Sequence, residues 1–246
     1  MKRSVSYTII LSLFILSQFF PTACGMVIGD AIITGDTVWT NTDIIEIVDS
    51  VVVTSTGHLT IEPGAIILFD LMSKMNIYGQ LAATGDETNR IVFTTVADTI
   101  NGSPGSSNIW YGMGAWEGGR LMMSYCDVRY ALTAVSLSRS EGDFDNCVIE
   151  NFMGHGFLID GIDADPQIDV SINGCRIIQS NPSMKKTGTG IYALRSVNLS
   201  VAHSEISDCR LGINIYSFNT SSPHYSFVRS EISRHYADGI YILGSG

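Results

Sequence analysis

The run Cys126-Asp127-Val128 returns four more times along the chain, with Cys or Ser first and an aliphatic residue last. The later copies are Cys147-Val148-Ile149, Cys175-Arg176-Ile177, Ser204-Glu205-Ile206 and Ser230-Glu231-Ile232. Successive copies are 21, 28, 29 and 26 residues apart. A second apolar alternation follows each copy, namely Ala134-Val135-Ser136-Leu137, Gly156-Phe157-Leu158-Ile159, Gly190-Ile191-Tyr192-Ala193, Gly212-Ile213-Asn214-Ile215 and Gly239-Ile240-Tyr241-Ile242. Two short strands per repeat of variable length predict a right-handed parallel β-helix, a solenoid whose loops absorb insertions.

The first 25 residues have the layout of a signal peptide. Lys2-Arg3 is positive, Ile9 to Phe20 is apolar, and Ala23-Cys24-Gly25 supplies small residues for cleavage. The apolar run is too short to span a bilayer, which takes about 20 residues. We therefore expect an exported protein, secreted or held at the cell surface, without a transmembrane span in the mature chain. Two processing routes are open, namely cleavage near Gly25 and a lipid anchor at Cys24.

Composition and turn signals predict an all-β chain with one domain at 26–246. Within it we expect N-terminal turns over 31–95, a loop over 96–108 and the repeat turns over 109–246. The formal net charge of −10 argues against a nucleic-acid partner, because no basic stripe is present. The final repeat strand runs to the last residues without a polar cap, so we expect a truncated solenoid whose native chain continues into further domains.

The N-terminal turns carry a family resemblance. Leu59-Thr60-Ile61-Glu62-Pro63-Gly64, Ile77 to Gly85 and Arg90-Ile91-Val92-Phe93-Thr94 resemble the opening turns of secreted bacterial right-handed β-helix repeat proteins, which have the pectate-lyase-like fold. The resemblance covers 31–246. It implies the architecture but leaves the activity open, because the family includes polysaccharide lyases, glycosidases, and surface proteins and adhesins without known catalysis.

Two hypotheses for function follow. The first is a secreted or cell-surface module with a structural, adhesive or glycan-contacting role and no catalytic set, whose partner is a polysaccharide or cell-surface glycan. The alternative is a polysaccharide lyase or glycoside hydrolase that acts in a groove along the β-helix. The alternative needs carboxylates, or a base with a cation, gathered on one groove.

Five residues are the candidates for catalysis. Gly154-His155-Gly156 is similar to a motif of polygalacturonases, and Asp143 and Asp145 lie upstream of it. The Asp-to-His separation is about half a turn rather than a full turn, and Gly156 shares its repeat position with Gly190, Gly212 and Gly239. Lys185 lies in a loop insertion over 181–189, where a lyase base or charge neutraliser would project. Arg195 is the remaining basic candidate.

An acidic segment offers a candidate calcium site. Asp163, Asp165 and Asp169 supply the oxygen ligands that Ca²⁺ prefers. The order of an EF-hand is missing, because Ser171 stands where its final Glu would be. No other cofactor is expected.

Aromatic side chains offer a second kind of site. Trp110, Trp116, Tyr192 and Tyr241 are the candidates for glycan contact, because flat rings stack on sugar faces. Tyr192 and Tyr241 are expected to share one exposed face with Asn214.

The Cys positions predict a stacked internal column of Cys126, Cys147 and Cys175 that continues into Ser204 and Ser230. Small residues that fill a narrow core explain it. A disulfide between Cys126 and Cys147 satisfies the distance requirement, but parallel strands point both Cβ atoms the same way.

Overall fold

The computed structural model describes residues 25–41, 44–101, 108–161, 168–181, 184, 187–217 and 223–244. Their strands form three parallel sheets, here called sheets A, B and C. Sheet A contains β1 (Met26–Ile28), β4 (Ile44–Ile47), β7 (Ile66–Phe69), β10 (Ile91–Thr95), β13 (Cys126–Arg129), β16 (Val148–Glu150), β19 (Arg176–Ile178), β22 (Glu205–Ser207) and β25 (Glu231–Ser233). Sheet B contains β2 (Ala31–Ile33), β5 (Ser50–Val53), β8 (Lys74–Ile77), β11 (Gly112–Trp116), β14 (Thr133–Ser138), β17 (His155–Asp160), β20 (Thr189–Leu194), β23 (Leu211–Ser217) and β26 (Ile240–Gly244). Sheet C contains β3 (Asp36–Trp39), β6 (His58–Ile61), β9 (Gln80–Thr84), β12 (Arg120–Ser124), β15 (Glu141–Asp145), β18 (Ile168–Asn173), β21 (Val197–Ala202) and β24 (Tyr225–Val228).

The chain visits sheets A, B and C in turn, so each coil contributes one strand to each sheet. The predicted repeat is confirmed by the register of sheet A, in which the aliphatic residues that end the five runs lie opposite one another: Val128, Ile149, Ile177, Ile206 and Ile232. The all-β parallel solenoid is therefore as predicted. The number of strands was wrong, because each coil has three strands rather than two, and sheet C was not recognised.

Inward-pointing side chains form one continuous core along the solenoid. They alternate with outward polar residues, as in β6 and β18, because successive side chains of a strand point to opposite faces. Burying an Ile, Val, Leu or Phe side chain contributes about 1.5–3 kcal/mol. Because like residues stack in register, the inward side chains of each coil are buried against those of the coils on either side.

The Cys column lies inside this core, as predicted. Cys126, Cys147 and Cys175 are buried free thiols, so the structure contains no disulfide between Cys126 and Cys147. The column continues into Ser204, whose Oγ accepts a hydrogen bond from the backbone N–H of Cys175 at 3.0 Å. The Oγ of Ser230 accepts one in turn from the N–H of Ser204 at 3.3 Å. The hydroxyls thus bond the backbone of adjacent coils.

Single residues with positive φ turn the chain from sheet C to sheet A. Tyr125, Asn146, Gly174, His203 and Arg229 occupy this corner, with φ between 48° and 62°. A left-handed residue reverses the chain direction within one residue, and Gly and Asn adopt that conformation at the lowest cost. Coils can therefore follow one another here without a loop.

Part of the segment predicted as a loop over 96–108 is helical. α1 (Val96–Asn101) follows β10 directly. The Oγ1 of Thr94 donates to Oδ2 of Asp98 at 2.9 Å, and Arg129 forms an ion pair with the same carboxylate at 3.5 Å. Six residues are too few to show a helical period in the sequence, and 102–107 lie outside the described residues. In the described ranges, no helix has the length and apolar character to cross a membrane.

Candidate functional site

Trp110 is not a glycan-contact residue. Its side chain is 0% exposed, and its ring stacks face to face on Phe69 with centroids 3.8 Å apart and planes 9° apart. Its indole N–H donates to the backbone carbonyl of Arg129 at 2.8 Å. The prediction of an exposed ring was wrong, because Trp110 closes the core where the chain returns from α1 to sheet B.

Trp116 lies on the outer face of sheet B, partly exposed. Its ring covers Gly114, where an added Cβ would lie 2.7 Å from the ring. Its indole N–H donates to Oδ1 of Asn76 at 3.2 Å on a neighbouring strand. The Trp116 ring, fixed by this hydrogen bond and by its contact with Gly114, therefore forms a flat apolar surface on the outside of sheet B.

Tyrosine rings continue along the same face of sheet B. The ring centroids of Tyr192 and Tyr216 are 5.7 Å apart, and those of Tyr216 and Tyr241 are 5.9 Å apart. Asn214 lies opposite Tyr192 on one side and Tyr241 on the other. These four residues are here called the tyrosine face. The shared face predicted for Tyr192, Asn214 and Tyr241 is thus present, and Tyr216 from the adjacent column completes it.

Asn214 is buried beneath this face, with 7% of its surface exposed. Its side-chain Oδ1 has no hydrogen-bond partner in the described part of the chain. An unpaired buried acceptor costs about 1–3 kcal/mol. A hydroxyl or amide donor that reached this oxygen would therefore be held strongly.

His155 lies at the edge of the tyrosine face. Its ring stacks on Tyr192 with centroids 5.2 Å apart, and burial lowers the pKa of the imidazole below its ordinary value of 6.5. The neighbouring Gly156 has a packing explanation, since a Cβ there would lie 2.6 Å from the carbonyl oxygen of Gly190. The resemblance of this motif to a catalytic Gly-His-Gly is therefore explained by the stacking of coils.

An ion pair borders the other edge of the tyrosine face. Arg195 binds the carboxylate of Asp160 with two nitrogens, Nε at 2.6 Å from Oδ1 and Nη2 to Oδ2. Leu194, next to Arg195, lies opposite both Asp160 and Tyr216. The pairing occupies the guanidinium, so Arg195 holds the edge of the sheet rather than presenting an unpaired cation.

Asp143 and Asp145 lie on β15 of sheet C, whereas His155 lies on sheet B. Asp143 accepts a hydrogen bond from Nη2 of Arg120 at 2.7 Å, and Asp145 accepts one from Nδ2 of Asn173 at 2.7 Å. The structure therefore does not bring the candidate catalytic carboxylates to His155.

The remaining candidates are only partly described. Asp163, Asp165 and Lys185 lie outside the described residues, as does Cys24 with the predicted signal peptide. Asp169 lies on β18, and its Oδ1 accepts a hydrogen bond from Nδ2 of Asn198 at 2.8 Å. Over the described ranges, no three His, Cys, Asp or Glu side chains are grouped so that they could hold a metal ion.

Tyr216 and Asp160 were not selected from the sequence as site residues. Tyr216 lies four residues beyond Gly212. In the two neighbouring coils the equivalent position is occupied by Leu194 and Leu243. The alternation of outward residues in β23 would have placed it beside Tyr192. The alternation that places Tyr216 on the outer face is present in the sequence, but it becomes visible only when all the coils are aligned.

Comparison with known proteins agrees with this geometry. A family model described as the right handed beta helix region matches residues 111–246, which is more than half of the chain. The chain therefore belongs to the right-handed β-helix family, and the predicted handedness and fold class are confirmed. No curated protein and no solved structure matches the chain.

Proposed function

We propose that this chain is an exported bacterial surface module with the pectate-lyase-like form of the β-helix, and that its tyrosine face binds a polysaccharide. The observation that carries the proposal is the ladder of Tyr192, Tyr216 and Tyr241 over the unpaired Oδ1 of Asn214. Partly exposed rings offer apolar surfaces to the C–H faces of sugars, while a sugar hydroxyl is the donor that Asn214 lacks. An adhesive or structural role follows from such contact without turnover.

The ring spacing supports an extended ligand. Successive strands are about 4.8 Å apart, and the ring centroids advance by 5.7 and 5.9 Å across two steps. A polymer that runs along the solenoid axis would meet a new ring at each coil. Trp116 lies further along the same sheet, so a longer chain would meet a further flat ring there.

Binding of the full chain to a polysaccharide panel, with and without Ca²⁺, tests the proposal. We expect retention of at least one glycan, and Tyr192→Ala and Tyr241→Ala should each weaken it by about tenfold or more, which is about 1.4 kcal/mol. The matched control is Tyr78→Ala, because Tyr78 is 42% exposed and Tyr241 is 39% exposed. Equal binding by all three variants would refute the role of the tyrosine face.

A polysaccharide lyase or glycoside hydrolase is the alternative. The observation that favours it is His155, whose pKa is lowered by burial so that the ring is neutral, as a base must be, beside Tyr192. The same panel distinguishes the two functions through new unsaturated ends and new reducing ends. Turnover that is lost in His155→Gln would establish the enzyme, whereas retention without turnover supports the module.

A further inference from the structure

A second groove runs over the outer face of sheet C, on a different side of the solenoid from the tyrosine face. Its volume is about 530 Å³. Four consecutive strands, β15, β18, β21 and β24, contribute its lining. The residues used below are Asp143, Asp169, Ser171, Asn198, Ser200 and Ser226, here called the serine groove.

Three serine hydroxyls form a column along this groove. Ser171 lies opposite Ser200, and Ser200 lies opposite Ser226. Ser200 is exposed and the other two are partly exposed. None of the three hydroxyls has a hydrogen-bond partner among the residues that the structure describes. Each hydroxyl can therefore both donate and accept, once per strand, at steps of about 4.8 Å.

The side of the groove adds further polar atoms. Nδ2 of Asn198 donates to Oδ1 of Asp169 at 2.8 Å, and this bond does not use the amide oxygen of Asn198 or Oδ2 of Asp169. Opposite Ser171, Asp143 begins the serine column. The pattern repeats along the axis rather than converging on a point, so it fits an extended chain better than a compact ligand.

The charge of the groove restricts what that chain can be. Arg120 forms ion pairs with both Glu141 at 3.2 Å and Asp143 at 2.7 Å, so these three residues sum to one negative charge. Asp169 adds a second negative charge. A chain of sugar carboxylates would be repelled by the groove, as it would by the formal net charge of −10.

We propose that the serine groove binds a linear, uncharged polysaccharide that runs along the solenoid axis with about one sugar ring per strand. Sugar hydroxyls would take the positions of water at Ser171, Ser200 and Ser226, and those at the groove side would donate to Asn198 and Asp169. The proposal does not rest on the tyrosine face, because the two surfaces belong to different sheets.

The test uses the full chain carrying Tyr192→Ala, so that binding at the tyrosine face is weakened and Ser200→Leu reports on the serine groove. Calorimetric titrations use neutral β-1,4-linked hexasaccharides of glucose, mannose and xylose, and a hexasaccharide of galacturonate. We expect at least one neutral hexasaccharide to bind and the galacturonate not to bind. Adding Ser200→Leu, which fills the middle of the column, should weaken that binding by about tenfold or more.

The matched control is Thr60→Leu. Thr60 is exposed on sheet C in the same column but lies on β6, outside the groove, so its substitution should leave binding unchanged. Absence of binding by every neutral hexasaccharide, equal binding of galacturonate, or an unaffected Ser200→Leu variant would each overturn the proposal. Failure of the tyrosine face would appear separately, as binding of the original chain that Tyr192→Ala does not change.

Discussion

Gly190 and Gly212 occupy equivalent places on consecutive coils, and a Cβ added to Gly190 would lie 2.6 Å from the carbonyl oxygen of Gly212. The same Cβ would lie 2.6 Å from Cγ2 of Ile206. Glycine is therefore required by the approach of one backbone to the next where the chain enters sheet B.

We expect Gly190→Ala to lower the free energy of unfolding by about 1–3 kcal/mol, because backbone must shift to admit the methyl group. Urea unfolding midpoints measure the effect. Gly35→Ala is the control, since nothing lies within 4 Å of the Cβ it would gain, and it should be neutral or slightly stabilising. Equal midpoints for the two variants would contradict the packing explanation.

The two tryptophans should separate stability from binding. Trp110→Ala removes a buried ring stacked on Phe69 and should cost about 3–5 kcal/mol of stability. Trp116→Ala, which removes a partly exposed ring, should cost less than about 2 kcal/mol. Thermal unfolding of both variants measures the two losses of stability. A larger loss of stability for Trp116→Ala than for Trp110→Ala would contradict the burial of Trp110 and the partial exposure of Trp116.

Asn214→Leu should weaken glycan binding without lowering the stability of the fold. The substitution removes an unpaired buried acceptor and keeps a similar volume, so the free energy of unfolding should stay equal or rise by about 1 kcal/mol. Glycan retention by the tyrosine face should fall, because the acceptor for a sugar hydroxyl is lost. Asn214→Asp serves for comparison and should destabilise the fold, because it buries a charge. Destabilisation by Asn214→Leu would mean that Oδ1 has a partner.

Stability should fall in acid partly through His155. Burial lowers the pKa of His155 in the folded chain below 6.5, so below that pH the unfolded chain binds more protons than the folded one. The contribution of His155 to the free energy of unfolding is therefore highest above pH 6.5, where His155 is neutral in both states. This contribution falls as the pH decreases from 6.5 through the lowered pKa of the folded chain.

Thermal unfolding from pH 8 to pH 5 measures this dependence. Wild type should lose more stability than His155→Gln over that interval. The comparison is needed because burial also lowers the pKa of His235, which contributes with the same sign in both chains. Parallel curves would show that His155 titrates normally.

The four cysteines of the core should be inert towards thiol reagents. Contact with the Cys147 thiol and burial raise the pKa of Cys126 and Cys175, and burial raises the pKa of Cys209 to about 12. Hydrogen bonds from its two neighbours lower the pKa of Cys147, so its inertness rests on its complete burial, with 0% of its surface exposed. Thiolate is the reactive form. In a chain carrying Cys24→Ser, the folded protein should show no reactive thiol and the denatured protein four. A thiol that reacts in the folded state would show that a coil opens.

Sheets A and B could be predicted from the sequence because their inward residues are aliphatic in nearly every coil. Sheet C was harder to recognise, because β15 lacks an aliphatic alternation. Its inward positions are Gly142 and Phe144, and its outward positions are all acidic. The stretch therefore suggested an aspartate motif rather than a strand. β18 and β21 alternate clearly, and alignment of their Val and Ile residues would have revealed sheet C.

The candidate site was only half predictable. Tyr192 and Tyr241 follow aliphatic neighbours in a strict alternation, so their outward direction could be inferred locally. Trp110 could not be placed in this way, because its partner Phe69 is remote in sequence and the ring follows a Gly- and Ser-rich segment. The ion pair of Asp160 with Arg195 likewise depends on two coils being in register.

The coils differ in residue number, yet each advances the solenoid by one strand spacing. The coil that carries α1 and the coil between Val128 and Ile149 thus add the same increment to the length of the molecule. From β1 to β25, eight increments of about 4.8 Å give about 38 Å. Insertions into loops therefore widen the molecule without lengthening it, so the distance over which it can follow a ligand depends on how many coils it has.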